Sequence, residues 1–141
     1  MRRDLSSKVN PKVSTAPVVV TDTTAQVGSI IDTAGYTSLT YLIATGTLAD
    51  ADATFAVQVD EGDAANLSDA SAVADADLIG TEALAGFTFA ADSACRKIGY
   101  IGGKRYVRLT ITPSGNSGNA PIACIALLGD ATRAPTSNPP A

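Results

Sequence analysis

Lys97-Ile-Gly-Tyr-Ile-Gly-Gly-Lys-Arg-Tyr-Val-Arg-Leu-Thr-Ile-Thr112 sets two apolar runs against each other across Gly102-Gly103. A Gly-Gly pair between strand-like runs suits a two-residue hairpin turn, whose central residues need positive φ. The runs around Ile98 and Val107 are therefore expected to pair antiparallel. The second run alternates strictly, with Val107, Leu109 and Ile111 toward a core and Tyr106, Arg108 and Thr110 away from it, the period of two of a half-buried strand. The outward side gathers Lys104, Arg105 and Arg108 with Tyr100 and Tyr106. That mixture of cations and aromatics is the chemistry of a partner-binding surface, although a plain solvated strand face carries the same residues.

Upstream, Thr54 to Asp60 alternates in the same way, with Phe55, Val57 and Val59 on one face. Ser38 to Thr45 puts Leu39, Tyr41 and Ile43 on one face, and Leu42 breaks the polarity of the other, so this strand is expected to be central or covered on both sides. Ala25 to Ile31 forms a further strand before the turn signal Asp32 to Gly35. Glu61 to Asp77 is rich in carboxylates and alanine, and Ser68 is placed to cap a short helix over Asp69 to Asp75. Leu78-Ile79, Phe87 and Phe89 provide short apolar runs, and Ala90 to Ala94 reads as a loop. Downstream, the turn Pro113 to Asn119 leads into Ile122 to Leu128, a run apolar on both faces, expected to be a buried strand with Ile125 in the core. A second hairpin with Arg105 to Thr112 follows from the short, turn-rich link.

The ends read differently. Residues 1–17 carry Arg2, Arg3, Lys8 and Lys12, with Pro11, Pro17 and no apolar period, and are expected to form an extended basic arm that orders on a partner. Residues 131–141 carry Pro135, Pro139 and Pro140 and are expected to leave as an extended tail. Between them, 18–130 reads as a single domain of about eight strands with no long helix, an all-β fold of β-sandwich or jelly-roll-like type.

Composition narrows the chemistry. A chain of 141 residues buries about two-thirds of its unfolded surface and needs no metal or staple to hold a core. With no histidine, the chain lacks the commonest general base and the commonest zinc ligand, which excludes Ser-His-Asp, Cys-His and His-metal sites. Cys95 and Cys124 lie among apolar or small residues, where a reduced, buried thiol is the usual state; a single bridge between them is the lesser alternative. The first residues have no apolar h-region and no apolar run reaches about 18 residues, so neither export by a signal peptide nor a membrane span is expected.

The net charge of −4 conceals a segregation. Residues 1–12 hold four bases against Asp4, residues 13–95 hold twelve carboxylates and no base, and residues 96–141 hold six bases against Asp130. Opposite patches on one small domain suit contact between copies, with Arg105 and Arg108 as the positive side. Acids that merely keep a thin β-protein soluble are the plainer explanation.

Among those acids, Asp50, Asp52, Asp60 and Asp63 are the candidate ligands for a structural calcium, but none fits the twelve-residue EF-hand loop and no cofactor is expected. Paired carboxylates serve glycoside hydrolysis only beside a sugar-stacking cleft, which an aromatic-poor chain does not promise, so no enzyme is expected. Lys104, Arg105, Tyr106 and Arg108 offer the alternating bases and aromatics that contact phosphates and stack in nucleic-acid binding, yet the long acidic stretch repels a polyanion and no nucleic-acid module is present. Gly99-x-x-Gly102-Gly103 sits inside strands and is not a phosphate loop.

Ile98 to Thr112, with Tyr36-Thr-Ser-Leu-Thr-Tyr-Leu-Ile43 and Thr54-Phe-Ala-Val-Gln-Val-Asp-Glu-Gly62, resembles small structural proteins of the head region of tailed bacteriophages and prophages. The likeness covers roughly residues 25–130, and its most specific piece is a Tyr-x-Gly-x-Lys-Arg-Tyr-Val-Arg hairpin, here with one extra glycine. The resemblance implies a virion component assembled in the host cytoplasm and placed on the capsid exterior. It implies a capsid decoration or cement (minor capsid) protein, often a homotrimer, bound to the major capsid protein, with no catalytic residue. A receptor- or glycan-binding head of a phage fibre and a neck or tail-completion protein are the alternatives; scarce aromatics weigh against glycan binding.

Overall fold

Eleven strands build two antiparallel sheets, with one short helix between them in sequence, in the structure, a computed structural model that describes residues 3–141. In chain order they are β1 (Asn10–Val20), β2 (Gln26–Val27), β3 (Ile31–Asp32), β4 (Tyr36–Thr45), β5 (Thr54–Gly62), β6 (Ser71–Ala72), β7 (Leu78–Ile79), α1 (Glu82–Ala85), β8 (Phe87–Thr88), β9 (Cys95–Tyr100), β10 (Tyr106–Ser114) and β11 (Ala120–Ala131). The first sheet runs β1-β11-β4-β9-β7. The second runs β2-β10-β5-β6, with β3 also on β10 and β8 also on β5. The two sheets make a β-sandwich. If β2 with β3, and β6 with β8, are counted as the halves of one broken edge strand each, and β7 as an added edge, the eight remaining strands follow the jelly-roll order, 1-8-3-6 facing 2-7-4-5.

That order corrects the reading of Gly102-Gly103. In a rolled ribbon the chain changes sheet at nearly every link, and only the middle of the ribbon folds back as a hairpin. β9 pairs with β4 in the first sheet and β10 with β5 in the second, so residues 101–105 form an arch between sheets. Neither glycine there has positive φ. The expected second hairpin fails for the same reason, because β11 pairs with β1 and β4 and not with β10. The hairpin at the middle of the ribbon joins β5 to β6, where the sequence suggested a helix over 69–75. The four-residue helix that does form is α1, where the Thr81 hydroxyl accepts the Leu84 amide at 3.0 Å and the Glu82 carboxylate accepts the Val59 amide at 2.7 Å. The second of these bonds fills the gap that β6 and β8 leave along β5.

The alternation arguments hold where packing is one-sided. Leu39, Tyr41 and Ile43 on β4, Phe55, Val57 and Val59 on β5, and Val107, Leu109 and Ile111 on β10 all face the interior. Phe55 stacks on Phe87 at 4.7 Å between centroids. β4 is central, as expected, but its outer side is uncovered, and Leu42 is only half-buried. On β11 the buried set is Ile122, Cys124, Ala126 and Leu128, so Ile125 points out, 44% exposed, and is not a core residue.

The arm also needs correction. Its second half belongs to β1, which zips along β11 from Asn10 opposite Leu128 to Val20 opposite Ala120. Asn10, Ser14 and Thr15 are buried there. Register shifts between Val13 and Thr15 and between Thr15 and Val18 break the period of two, which is why the stretch reads as irregular. The folded domain thus begins near residue 10. The tail returns to the start of the chain, where the Thr136 amide and hydroxyl donate to the carbonyls of Ser7 and Val9 at 2.9 and 2.7 Å. Among the described residues no helix is long and apolar enough to cross a membrane.

Cys95 is exposed and Cys124 buried, so the expectation of two buried thiols holds for one. Cys124 lies opposite Ile43 and Cys95 opposite Ala44, on either side of β4 and on opposite faces of the sheet. Two strand spacings, about 10 Å, exceed the reach of a disulfide.

Candidate partner-binding arch

The arch from Tyr100 to Tyr106 is built on a buried phenol. Tyr100 shares the inward parity of Ile98 and is 4% exposed, so it is not part of the outward face expected for it. Its hydroxyl donates to Glu61 Oε2 at 2.5 Å and accepts the Lys104 amide at 2.9 Å. Burial, then the neighbouring Glu61, raises its pKa above the ordinary tyrosine value. The requirement for glycine at 102 follows from this packing: a Cβ there would stand 2.6 Å from the Tyr100 ring and hydroxyl. The residue is small because a ring passes beneath it, with no part played by turn geometry.

The cations of the arch are already engaged within the chain. Arg105 Nε and Nη2 donate to the two carboxylate oxygens of Asp32 at 2.8 and 2.9 Å, the two-point geometry of a guanidinium on a carboxylate. The guanidinium also lies 5.1 Å from the centre of the Tyr106 ring. Lys104 Nζ reaches Asp63 Oδ2 at 2.5 Å. Asp69 closes the loop next to it by accepting the amides of Asp63 and Ala64 at 2.8 and 3.1 Å. Tyr106 and Arg108 lie half-buried on the outer face of the second sheet, with Asp60 directly opposite Arg108 in register.

The other candidates fall elsewhere. Arg2 lies outside the described residues. Arg3 is exposed, and Lys8 ends a 3-10 turn, Ser6–Lys8, which sits against β11 of the first sheet. Lys12 is on β1, where its charge helps to lower the pKa of Asp32. Lys8 and Lys12 thus belong to the first sheet and Arg108 to the second, with Lys12 near enough to Asp32 to act on the carboxylate that Arg105 holds. The four carboxylates considered for calcium also divide: Asp50 and Asp52 precede β5 while Asp60 and Asp63 lie at its far end, roughly 27 Å away along a nine-residue strand. Asp50 is held by the Ser117 amide and hydroxyl at 2.7 and 2.9 Å, and Asp63 by Lys104. Among the described residues no three potential metal-ligating side chains gather.

Sequence reasoning missed Asp32, Glu61, Asp63 and Asp69 as the partners of this arch. The signal was present in the charge segregation, because a chain with acids before residue 95 and bases after it satisfies them first within itself.

Two expectations follow. Tyr100→Phe leaves Glu61 and the Lys104 amide without their shared partner and should cost about 1–2 kcal/mol in urea denaturation; an unchanged midpoint would show that the hydroxyl adds nothing. The second concerns pH. Asp32 is held below the usual carboxylate range first by Arg105, Asp50 first by the Asp52 amide, and Asp69 first by the Asp63 amide. A depressed native value means that the unfolded chain binds protons more readily, so this stability is present above about pH 4 and is lost as pH falls through the native values. Urea midpoints at neutral pH and near pH 3 should differ in that sense.

No family model and no curated protein match the chain. Among solved structures, the chain is similar to that described as "Crystal structure of SPBc2 prophage-derived protein YomS", with 10% sequence identity, a TM-score of 0.49, and coverage of 84% of this chain and 92% of that one.

Proposed function

We propose that the protein is a non-enzymatic, multi-copy structural component of a tailed-bacteriophage particle, a capsid decoration or cement protein attached to the major capsid protein. The phage assignment comes from the resemblance carried by Ile98 to Thr112. The observation that supports a protein-binding role is the outer side of the first sheet, where Val13 is 56%, Ile79 62% and Ile125 44% exposed on strands of that sheet. An apolar face of this kind on a small domain marks a surface that another chain covers, as a multi-copy structural component requires. The glycan-binding alternative finds no aromatic platform: Tyr41, Tyr100, Phe55 and Phe87 are buried, Tyr36 and Tyr106 are half-buried, and Phe89 is 43% exposed.

Quantitative mass spectrometry of purified particles from a strain carrying the gene tests this reading. A copy number comparable to that of the major capsid protein, removed together with capsid stability when the gene is deleted, is expected. A handful of copies per particle would instead fit the neck, tail or fibre, and absence from particles would end the proposal.

A further inference from the structure

We infer that the outer face of the β1-β11-β4-β9 sheet is where a second copy of this chain docks, face to face about a two-fold axis. The inference deepens the multi-copy reading above by naming the surface through which copies meet, and it rests on that reading only for the expectation of more than one copy.

The face has a ridge and an adjacent hollow. Val13, Ile125, Leu42 and Lys97 are directly opposite one another across four strands, so their outward side chains form one row. Two residues along, the parallel row is Ala123, Ala44 and Cys95, all small. Val19 and Pro121 wall its far side, and together with Pro17 and Gly46 they frame a shallow groove of about 360 Å³. A two-fold axis between ridge and hollow seats the ridge of each copy in the hollow of the other, the self-complementarity that an isologous contact requires.

Charge and area select the same occupant. Lys97 is the one charge among the described residues of the two rows, and it stands at the end of the ridge, where it stays at the rim. A partner recognised through acids or bases would find nothing to pair with in the middle of this face, whereas an identical uncharged face suits it. From the strand spacing and the rise per residue, the face measures about 24 Å by 20 Å, near 500 Å² in projection. Two copies together therefore cover about 1,000 Å², the least area a specific interface has to clear when its surfaces are complementary. Of the cations expected to hold a trimer, Arg105 is already paired with Asp32, and Arg108 lies half-buried on the outer face of the other sheet.

Sedimentation of the full-length protein over about 1–100 μM, with thermal unfolding of each variant in parallel, tests the inference. The wild type should be a dimer whose association holds at high salt. Ile125→Asp places a charge in the ridge and should raise the dissociation constant about 30-fold or more, the scale of an interface hot spot. Ala123→Arg fills the hollow and should do the same, which keeps the test valid if Ile125→Asp fails to fold. Arg108→Glu should leave the dimer intact. A wild type that stays monomeric, a trimer, or an oligomer indifferent to both face variants would overturn the inference. So would a monomer whose Ile125→Asp variant loses particle attachment, since the face would then belong to the capsid. Copy number in particles is read separately, so failure here leaves the virion reading to its own test.

Discussion

Deletion of residues 1–17 is expected to unfold the domain or to lower its melting temperature by well over about 10 °C. The segment carries most of β1, whose paired residues run from Asn10 to Val20 along β11. Its loss strips the edge from the first sheet and opens the inward side of β11, where Cys124, Ala126 and Leu128 have no solvent exposure. Each ladder hydrogen bond is worth about 1 kcal/mol net, so losing most of a strand removes about 5 kcal/mol or more, which is comparable to the whole stability of an ordinary domain. At about 3–5 °C for each kcal/mol in a chain of this size, the shift is large. The tail loses its anchor too, because Thr136 bonds to Ser7 and Val9. Deletion of residues 1–8 alone, which spares β1, should cost much less. A 1–17 deletion that melts with the wild type would show that β1 is a detachable arm after all, and differential scanning calorimetry of the three proteins decides it.

Leu109→Ala should cost about 2–5 kcal/mol, the range for truncating a fully enclosed leucine. Leu109 has no solvent exposure, lies opposite Val59 in the register of β10 and β5, and is flanked on its own strand by Val107 and Ile111, which are equally enclosed. Its backbone is committed as well, since the Leu109 carbonyl accepts the Gly28 amide at 3.0 Å. That approach is so close that a Cβ on Gly28 would stand 2.4 Å from the same oxygen, so the backbone at Leu109 is held in place. Thr110→Ala, one residue along and facing out, should stay within about 0.5 kcal/mol. If reversible denaturation gave the two variants similar losses, the strand parity would be wrong.

The contrast between those two neighbours shows what kind of information the chain carries locally. Parity within a strand is a property of two adjacent residues, so Phe55, Val57 and Val59 or Val107, Leu109 and Ile111 declare their buried side without reference to anything else. Tyr100 was legible on the same rule, because it shares the parity of Ile98; its basic neighbours drew it to the wrong face. The all-β class and the approximate number of strands follow from the same repeated local signal. Ile122 to Leu128 shows its limit, since a run apolar on both sides has no parity to read, and only the uncovered side of the first sheet put Ile125 outside.

What the sequence alone determined is therefore the all-β class, most of the longer strands with the inward face of those packed on one side, and the lack of histidine. Tertiary structure decided which strands are neighbours. Gly102-Gly103 is compatible with a hairpin or an arch over a similar length of chain, and the choice depends on whether the apolar sides of β9 and β10 lie in one sheet or face each other across a core. Rolling the ribbon buries both sides against each other, and it places Tyr100 under Gly102, Arg105 beside Asp32 and Lys104 beside Asp63. β1 was hidden for a related reason: its bulges erase the period, and a strand that does not alternate is recognised only by the partner it pairs with.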